Sequence, residues 1–205
     1  MGNGSATALA KLVTAGLAKE VQNNSWDPQK RFIVLSVNYD WGDLNATTLK
    51  NFMAFAKANY KVDLKRIYLT GLSQGGDPIY IYLSATNGAD VAAAVPISAV
   101  TGNSSQDLQN NPRQNECAYR SVPFWLFHGS ADSVVGPGAS LDVYTKLGKC
   151  NPASSVLPRY TEYTGVGHDA WTRTYNLAGM KTTVQAGRQA YDISIYDWLL
   201  QHSKP

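Results

Sequence analysis

Residues 66–76 read Arg66-Ile67-Tyr68-Leu69-Thr70-Gly71-Leu72-Ser73-Gln74-Gly75-Gly76. An apolar run suited to a strand ends in Gly-x-Ser-x-Gly. A serine hydroxyl is a weak nucleophile unless the chain holds it exposed beside a base, and a sharp strand-to-helix turn does this. The flanking glycines let the backbone bend without a side-chain clash. The N–H groups that follow, first that of Gln74, then point where an oxyanion would develop. On its own the pattern is weak, because glycine makes up about 7% of residues in ordinary proteins. The sequence on either side gives it weight.

Apolar residues at helical spacing, Leu9, Leu12, Val13 and Leu17, predict a helix over Ala6–Val21. A turn follows at Asn23–Lys30, and Phe32–Val37 reads as a short strand buried on both faces. Asn45–Tyr60 reads as an amphipathic helix, with Leu49, Phe52, Met53, Ala56 and Tyr60 on one stripe. Beyond the Arg66–Thr70 strand a helix should open near Gln74. Further strands are expected at Val91–Ile97, Val122–Phe127 and Arg159–Tyr163, and helices at Leu141–Leu147 and Ile193–Leu200. Strands alternating with helices predict one α/β domain over residues 1–205, with a parallel sheet covered on both faces.

A nucleophilic serine needs a base, and the chain holds three histidines. His202 lies three residues from the C-terminus and reads as a solvated tail residue. His128 ends the Val122–Phe127 strand, where histidines are often structural. His168 stands in the loop Gly165-Val166-Gly167-His168-Asp169 after the last strand, on the edge of the sheet that carries Ser73. It is the candidate base. Asp132, in the turn after Val122–Phe127, is the candidate orienting acid, against the plainer reading of a turn aspartate bonding its own backbone. Asp169 is the rival acid, but as the neighbour of His168 it cannot easily reach that ring's Nδ1. The order Ser73…Asp132…His168 is that of the α/β-hydrolase fold and differs from the orders on two other serine-hydrolase folds.

Three stretches in register, Arg66 to Gly76, Pro123-Phe124-Trp125-Leu126-Phe127-His128-Gly129-Ser130-Ala131-Asp132 and Gly167-His168-Asp169-Ala170-Trp171, resemble one group. It is the phospholipase/carboxylesterase and predicted-peptidase branch of the α/β-hydrolases, with feruloyl esterases and polyester depolymerases as relatives. The resemblance runs from about Gly2 to Leu200. It implies hydrolysis of carboxylic esters, including acetyl or feruloyl esters of plant polysaccharide, by enzymes that are often secreted or periplasmic and need no cofactor. Ser73 would then be the nucleophile, His168 the base, Asp132 its orienting acid and Gln74 N–H an oxyanion donor. Trp171 and Trp41, which follow His168 and the Phe32–Val37 strand, are candidates for substrate binding, whereas Trp125 reads as core. The alternatives are a serine peptidase, an acyl transferase, or a binding remnant that lacks a complete oxyanion hole.

Two departures stand out. Asp77 occupies a place where the group favours an aromatic or small residue, which would disfavour anionic substrates near Ser73. The group also enters with two or three strands, the last ending in a His-Gly-rich loop that donates one oxyanion N–H. Met1-Gly2-Asn3-Gly4-Ser5 resembles only the tail of that loop. The resemblance therefore implies an N-terminally incomplete version of a longer esterase, with one strand missing between Phe32–Val37 and Arg66–Thr70. Otherwise those two strands close up, or another chain supplies the strand. An unpaired sheet edge would also offer a route to self-association, and a lost oxyanion donor would cost on the order of 10²–10³ in rate.

Bulk properties set the remaining limits. A net charge of +3 over 205 residues is too small to argue for nucleic acid. No apolar run is long enough to span a bilayer, and Lys11 and Lys19 interrupt what would be the core of a signal peptide. Cys117 and Cys150 lack metal-ligand spacing, which leaves a disulfide or two buried thiols. Charged residues are only 16% of the chain. That composition, with cysteines recurring at these places in the group, favours the bridge.

Overall fold

The computed structural model describes residues 10–37, 46–100, 116–154 and 156–205. Four strands, β1 (Tyr68–Leu72), β2 (Ala93–Ile97), β3 (Trp125–Gly129) and β4 (Arg159–Tyr163), pair in that order, all in parallel. Helices α1 (Gly16–Gln22), α2 (Ala46–Asn59), α3 (Asp77–Thr86), α4 (Gly138–Gly148), α5 (Trp171–Tyr175) and α6 (Ile195–Leu200) cover the two faces.

Alternation along the strands divides the core. Ala94, Phe124, Leu126 and Tyr160 face α3 and α4, where Ile79, Tyr82, Val143 and Leu147 pack on them. Ala93, Val95, Ile97, Trp125 and Phe127 face the other way, against Tyr191, Ile195 and Trp198. With both faces covered, β2 is apolar at every position rather than at alternate ones, and β3 is apolar as far as Phe127. Local chemistry sets the helix ends. Pro78 and Asp77 sit in the first turn of α3, and left-handed Asn87 closes it. Ser194 caps α6 by accepting the Asp197 N–H.

Several expected elements shift. β1 runs on to Leu72 and β3 to Gly129, because each pairs with its neighbour through residues that read locally as turn. The first expected helix is broken: residues 10–12 are helical, and α1 restarts at Gly16. Gly16 has φ +65°, and a Cβ there would collide with the side chain of Leu72. His202 is half-buried rather than solvated, with its ring edge-on to Trp198.

Phe32–Val37 is not a strand. Phe32 packs on Tyr68 and Tyr196, but Ile33 is 55% exposed and the segment joins no ladder. Between it and the outer edge of β1, unpaired among the described residues, lies a groove of about 670 Å³, lined by Leu35, Met53, Leu69, Ile79 and Leu199 among others. The two stretches have therefore not closed up on each other. β1 is correspondingly half-buried along its whole length, whereas β2 and β3 are fully buried.

Two cross-links tie the periphery down. Cys117 and Cys150 form a disulfide, which joins a 3₁₀ turn (Glu116–Tyr119) to the end of α4. Asp27 is fully buried and accepts from the Arg31 guanidinium at 3.0 Å and from the Arg31 N–H at 2.8 Å. Arg31 in turn reaches Asp197 on α6 at 2.7 Å. Burial pushes the Asp27 carboxyl up, but the hydrogen bonds from Arg31 and Gln29 outweigh it and hold it below its ordinary 3.8. A carboxyl depressed in the folded state adds stability above its unfolded value, and that stability is lost as pH falls through the folded value. The Tm of Asp27→Asn should lie below wild type at neutral pH, with the gap closing below about pH 4. A gap that stays constant down to pH 2 would show that the carboxylate charge is not the cause.

Among the described residues no helix is long and apolar enough to cross a membrane.

Candidate active site

Parallel pairing places the C-terminal ends of β1, β3 and β4 on one rim, and each leads into a loop that carries one candidate residue. β1 ends at Leu72 and a 3₁₀ turn begins at Ser73, which adopts φ +49°, a left-handed conformation uncommon for a residue with a Cβ. The turn is held from both sides. A Cβ on Gly71 would collide with the Gly75 carbonyl, and one on Gly76 would collide with Ala99. Gly75 itself meets nothing within 4 Å. The steric need for glycine thus falls on Gly71 and Gly76. The N–H of Val100 donates to the Ser73 carbonyl at 3.0 Å and ties the turn to the end of β2.

The loops after β3 and β4 are knitted together. Ser130 N–H donates to Tyr163 O and Ala131 N–H to Val166 O, both at 2.9 Å, and Gly165 N–H donates to Ser130 Oγ. Gly129 permits this contact, since a Cβ there would strike the carbonyls of Val166 and Gly167. This lacing brings His168 onto Asp132. His168 Nδ1 is 2.7 Å from Asp132 Oδ2, and its Nε2 is 2.9 Å from Ser73 Oγ.

Proton positions follow from the partners. Asp132 is buried, and burial pushes its carboxyl up; hydrogen bonds from His168 and from the N–H groups of Val135 and Val134 outweigh this and hold it below 3.8. An ionised carboxylate only accepts, so Nδ1 of His168 carries the proton and Nε2 is free to accept from the Ser73 hydroxyl. The imidazole side chain is about one-fifth exposed, so the rim is open to a substrate while the acid behind it is sealed.

The other candidates fall into place around these three. Asp169 does not serve His168: it accepts from the Thr172 N–H and hydroxyl and caps α5. Trp171 sits edge-on to the His168 ring, with centroids 5.0 Å apart. It touches the base itself, a contact that its place three residues along the chain did not reveal. Gln74 is exposed, in the turn directly after Ser73. Trp41 and the Gly2–Gly4 segment lie outside the described residues. Trp125 is fully buried, as core.

One residue at the site escaped the sequence. His128 reads as a strand-end structural histidine, yet its Nε2 is 3.2 Å from Asp132 Oδ2. The available signal was the four-residue spacing in His128-Gly129-Ser130-Ala131-Asp132, which folds a tight turn back on its own strand.

Comparison with known proteins places the fold. No protein-family model and no curated protein sequence matches the chain. Among solved structures, a thermostable esterase superposes with TM-score 0.58 at 23% identity, over 82% of this chain and 42% of that one. Est1E from Butyrivibrio proteoclasticus gives TM-score 0.49 at 17% identity, over 65% of this chain and 67% of that one. Esterase PE8 gives 0.47 at 19% identity, over 65% and 56%. This chain therefore spans less than half the length of the thermostable esterase. The likeness is one of fold, and the chain has the α/β-hydrolase fold.

Proposed function

We propose that the chain is a serine hydrolase that cleaves carboxylic esters through an acyl-enzyme. The observation that carries this reading is the unbroken hydrogen-bonded line from Ser73 Oγ through His168 to Asp132, at the rim of a parallel sheet.

In the proposed cycle Ser73 Oγ attacks the ester carbonyl carbon while its proton passes to His168 Nε2. The imidazolium so formed is stabilised by the buried carboxylate of Asp132. The Gln74 N–H donates to the oxyanion of the tetrahedral intermediate. Collapse breaks the bond to the alcohol oxygen, which takes the proton from His168 and leaves. Water then attacks the acyl-serine, gives its proton to His168, and the acid departs as Ser73 recovers its hydrogen. A second oxyanion donor, if it comes from the Gly2–Gly4 segment, would come from residues outside those described. The resemblance of the three motifs favours acetyl or feruloyl esters of plant polysaccharide as substrates, with Trp171 beside the acyl group.

A panel of p-nitrophenyl acetate, p-nitrophenyl butyrate, methyl ferulate and a p-nitroanilide checks the reaction class. Hydrolysis of at least one ester, with the anilide untouched, is expected. An anilide cleaved as fast as the esters would make the chain a peptidase, and a folded protein inert to the whole panel would remove the hydrolase reading.

A further inference from the structure

We infer that His128 is a positioning residue for the Ser73–His168–Asp132 line: its Nε2–H holds Asp132 Oδ2 where it receives the Nδ1–H of His168. The effect on turnover rests on the ester-hydrolase reading above; the effect on the His168–Asp132 hydrogen bond does not.

His128 is the penultimate residue of β3. Strand alternation puts its side chain on the opposite face from Phe127, beneath α4. The ring is fully buried and each nitrogen has a partner. Nδ1 lies 2.8 Å from Ser140 Oγ in the first turn of α4, and Nε2 lies 2.8 Å from Val135 O and 3.2 Å from Asp132 Oδ2. A carbonyl and a carboxylate can only accept, so the proton sits on Nε2, bonded to the Val135 carbonyl with Asp132 Oδ2 beside it, while Nδ1 accepts from the Ser140 hydroxyl. Burial pushes the ring's pKa below 6.5 even with Asp132 beside it, which keeps it neutral. A neutral donor steadies the carboxylate without cancelling the charge that His168 needs when it becomes an imidazolium.

The carboxylate of Asp132 is therefore gripped from every side. Oδ1 accepts from Val134 N–H and Val135 N–H, each at 2.9 Å. Oδ2 lies between two imidazoles, His168 toward solvent and His128 toward the core. A histidine needed only for packing would be satisfied by Ser140 and Val135. The contact with Oδ2, together with the hold on the Val135 carbonyl inside the same turn, gives His128 control over where the carboxylate points.

The test uses protein labelled with ¹⁵N-histidine, whose three histidines give a sparse spectrum. Wild type should show His128 as the Nε2–H tautomer and a far-downfield proton for His168 Nδ1–H. His128→Phe, which keeps a buried ring and removes the donor, should lose or broaden that proton. It should also lower kcat for p-nitrophenyl acetate by about 10- to 100-fold with KM little changed. His128→Gln, whose amide can donate to the same two oxygens, should restore both. A folded His128→Phe with the proton and kcat intact would reduce His128 to a packing residue. Should that variant fail to fold, the wild-type spectrum still decides: an Nδ1–H tautomer at His128 would overturn the inference, because Nε2 would then have no proton to give. Loss of the downfield proton in His128→Phe, in a protein that hydrolyses none of the esters, would sustain the positioning role and sink the esterase reading.

Discussion

Ser73→Ala should remove ester hydrolysis almost entirely, by on the order of 10⁶ in kcat. The hydroxyl of Ser73 is bonded to His168, and the nearby hydroxyls of Ser130 and Ser98 are respectively engaged and buried. Ser130 Oγ accepts from Gly165 N–H, and Ser98, though it follows β2 on the same rim, is fully buried. The Gln74 N–H proposed as oxyanion donor and the rim survive the change, so some catalysis above water should remain, as in triads stripped of their nucleophile. Folding should be unaffected. The left-handed backbone at position 73 strains serine and alanine alike, and the turn is fixed by Gly71, Gly76 and the Val100 N–H rather than by the hydroxyl. Steady-state kinetics beside a thermal melt checks this. Retention of more than about a hundredth of wild-type kcat would mean that the chemistry runs elsewhere.

Asp132→Asn should cost on the order of 10⁴ in kcat, and the reason is directional rather than electrostatic alone. Oδ1 of Asp132 accepts two backbone N–H groups, so an asparagine must place its carbonyl oxygen there and its NH₂ in the Oδ2 position. That NH₂ faces His168 Nδ1 and forces it to become an acceptor. The imidazole proton then moves to Nε2, pointing at Ser73 Oγ, and a nitrogen that carries a proton cannot take one from the serine. The same NH₂ meets the Nε2–H of His128, so two donors oppose each other in a buried site. The variant should accordingly also melt below wild type. Asp132→Asn with activity within tenfold of wild type would show that Asp132 does not set the tautomer of His168.

The sequence carried the rim of the sheet better than its flanks. Chain order alone pairs Ser73, Asp132 and His168, because parallel strands deliver successive loops to one edge whatever the strand boundaries are. β4 falls at Arg159–Tyr163 as expected, whereas β1 runs past Gly71 and β3 takes in Gly129, glycines that look locally like turn. Gly71 and Gly129 are glycines for what they touch across the fold, the Gly75 carbonyl and the Val166 and Gly167 carbonyls, and no local pattern records that. Phe32–Val37 misleads for the opposite reason. Its apolar run has strand composition, but a strand needs a neighbour for its backbone, and this segment borders a groove along β1 instead of pairing with it. His128 and Trp171 owe their places to contacts with Asp132 and His168 that only the assembled loops create.

Mass spectrometry after treatment with a fluorophosphonate probe asks most directly whether a hydroxyl, an imidazole and a carboxylate act here as one nucleophilic unit. One adduct per chain is expected, fragmentation should place it on Ser73, and His168→Ala should not acquire it. A folded wild-type chain that takes up no probe, or takes it up at a different side chain, would contradict the assignment of this rim as the active site.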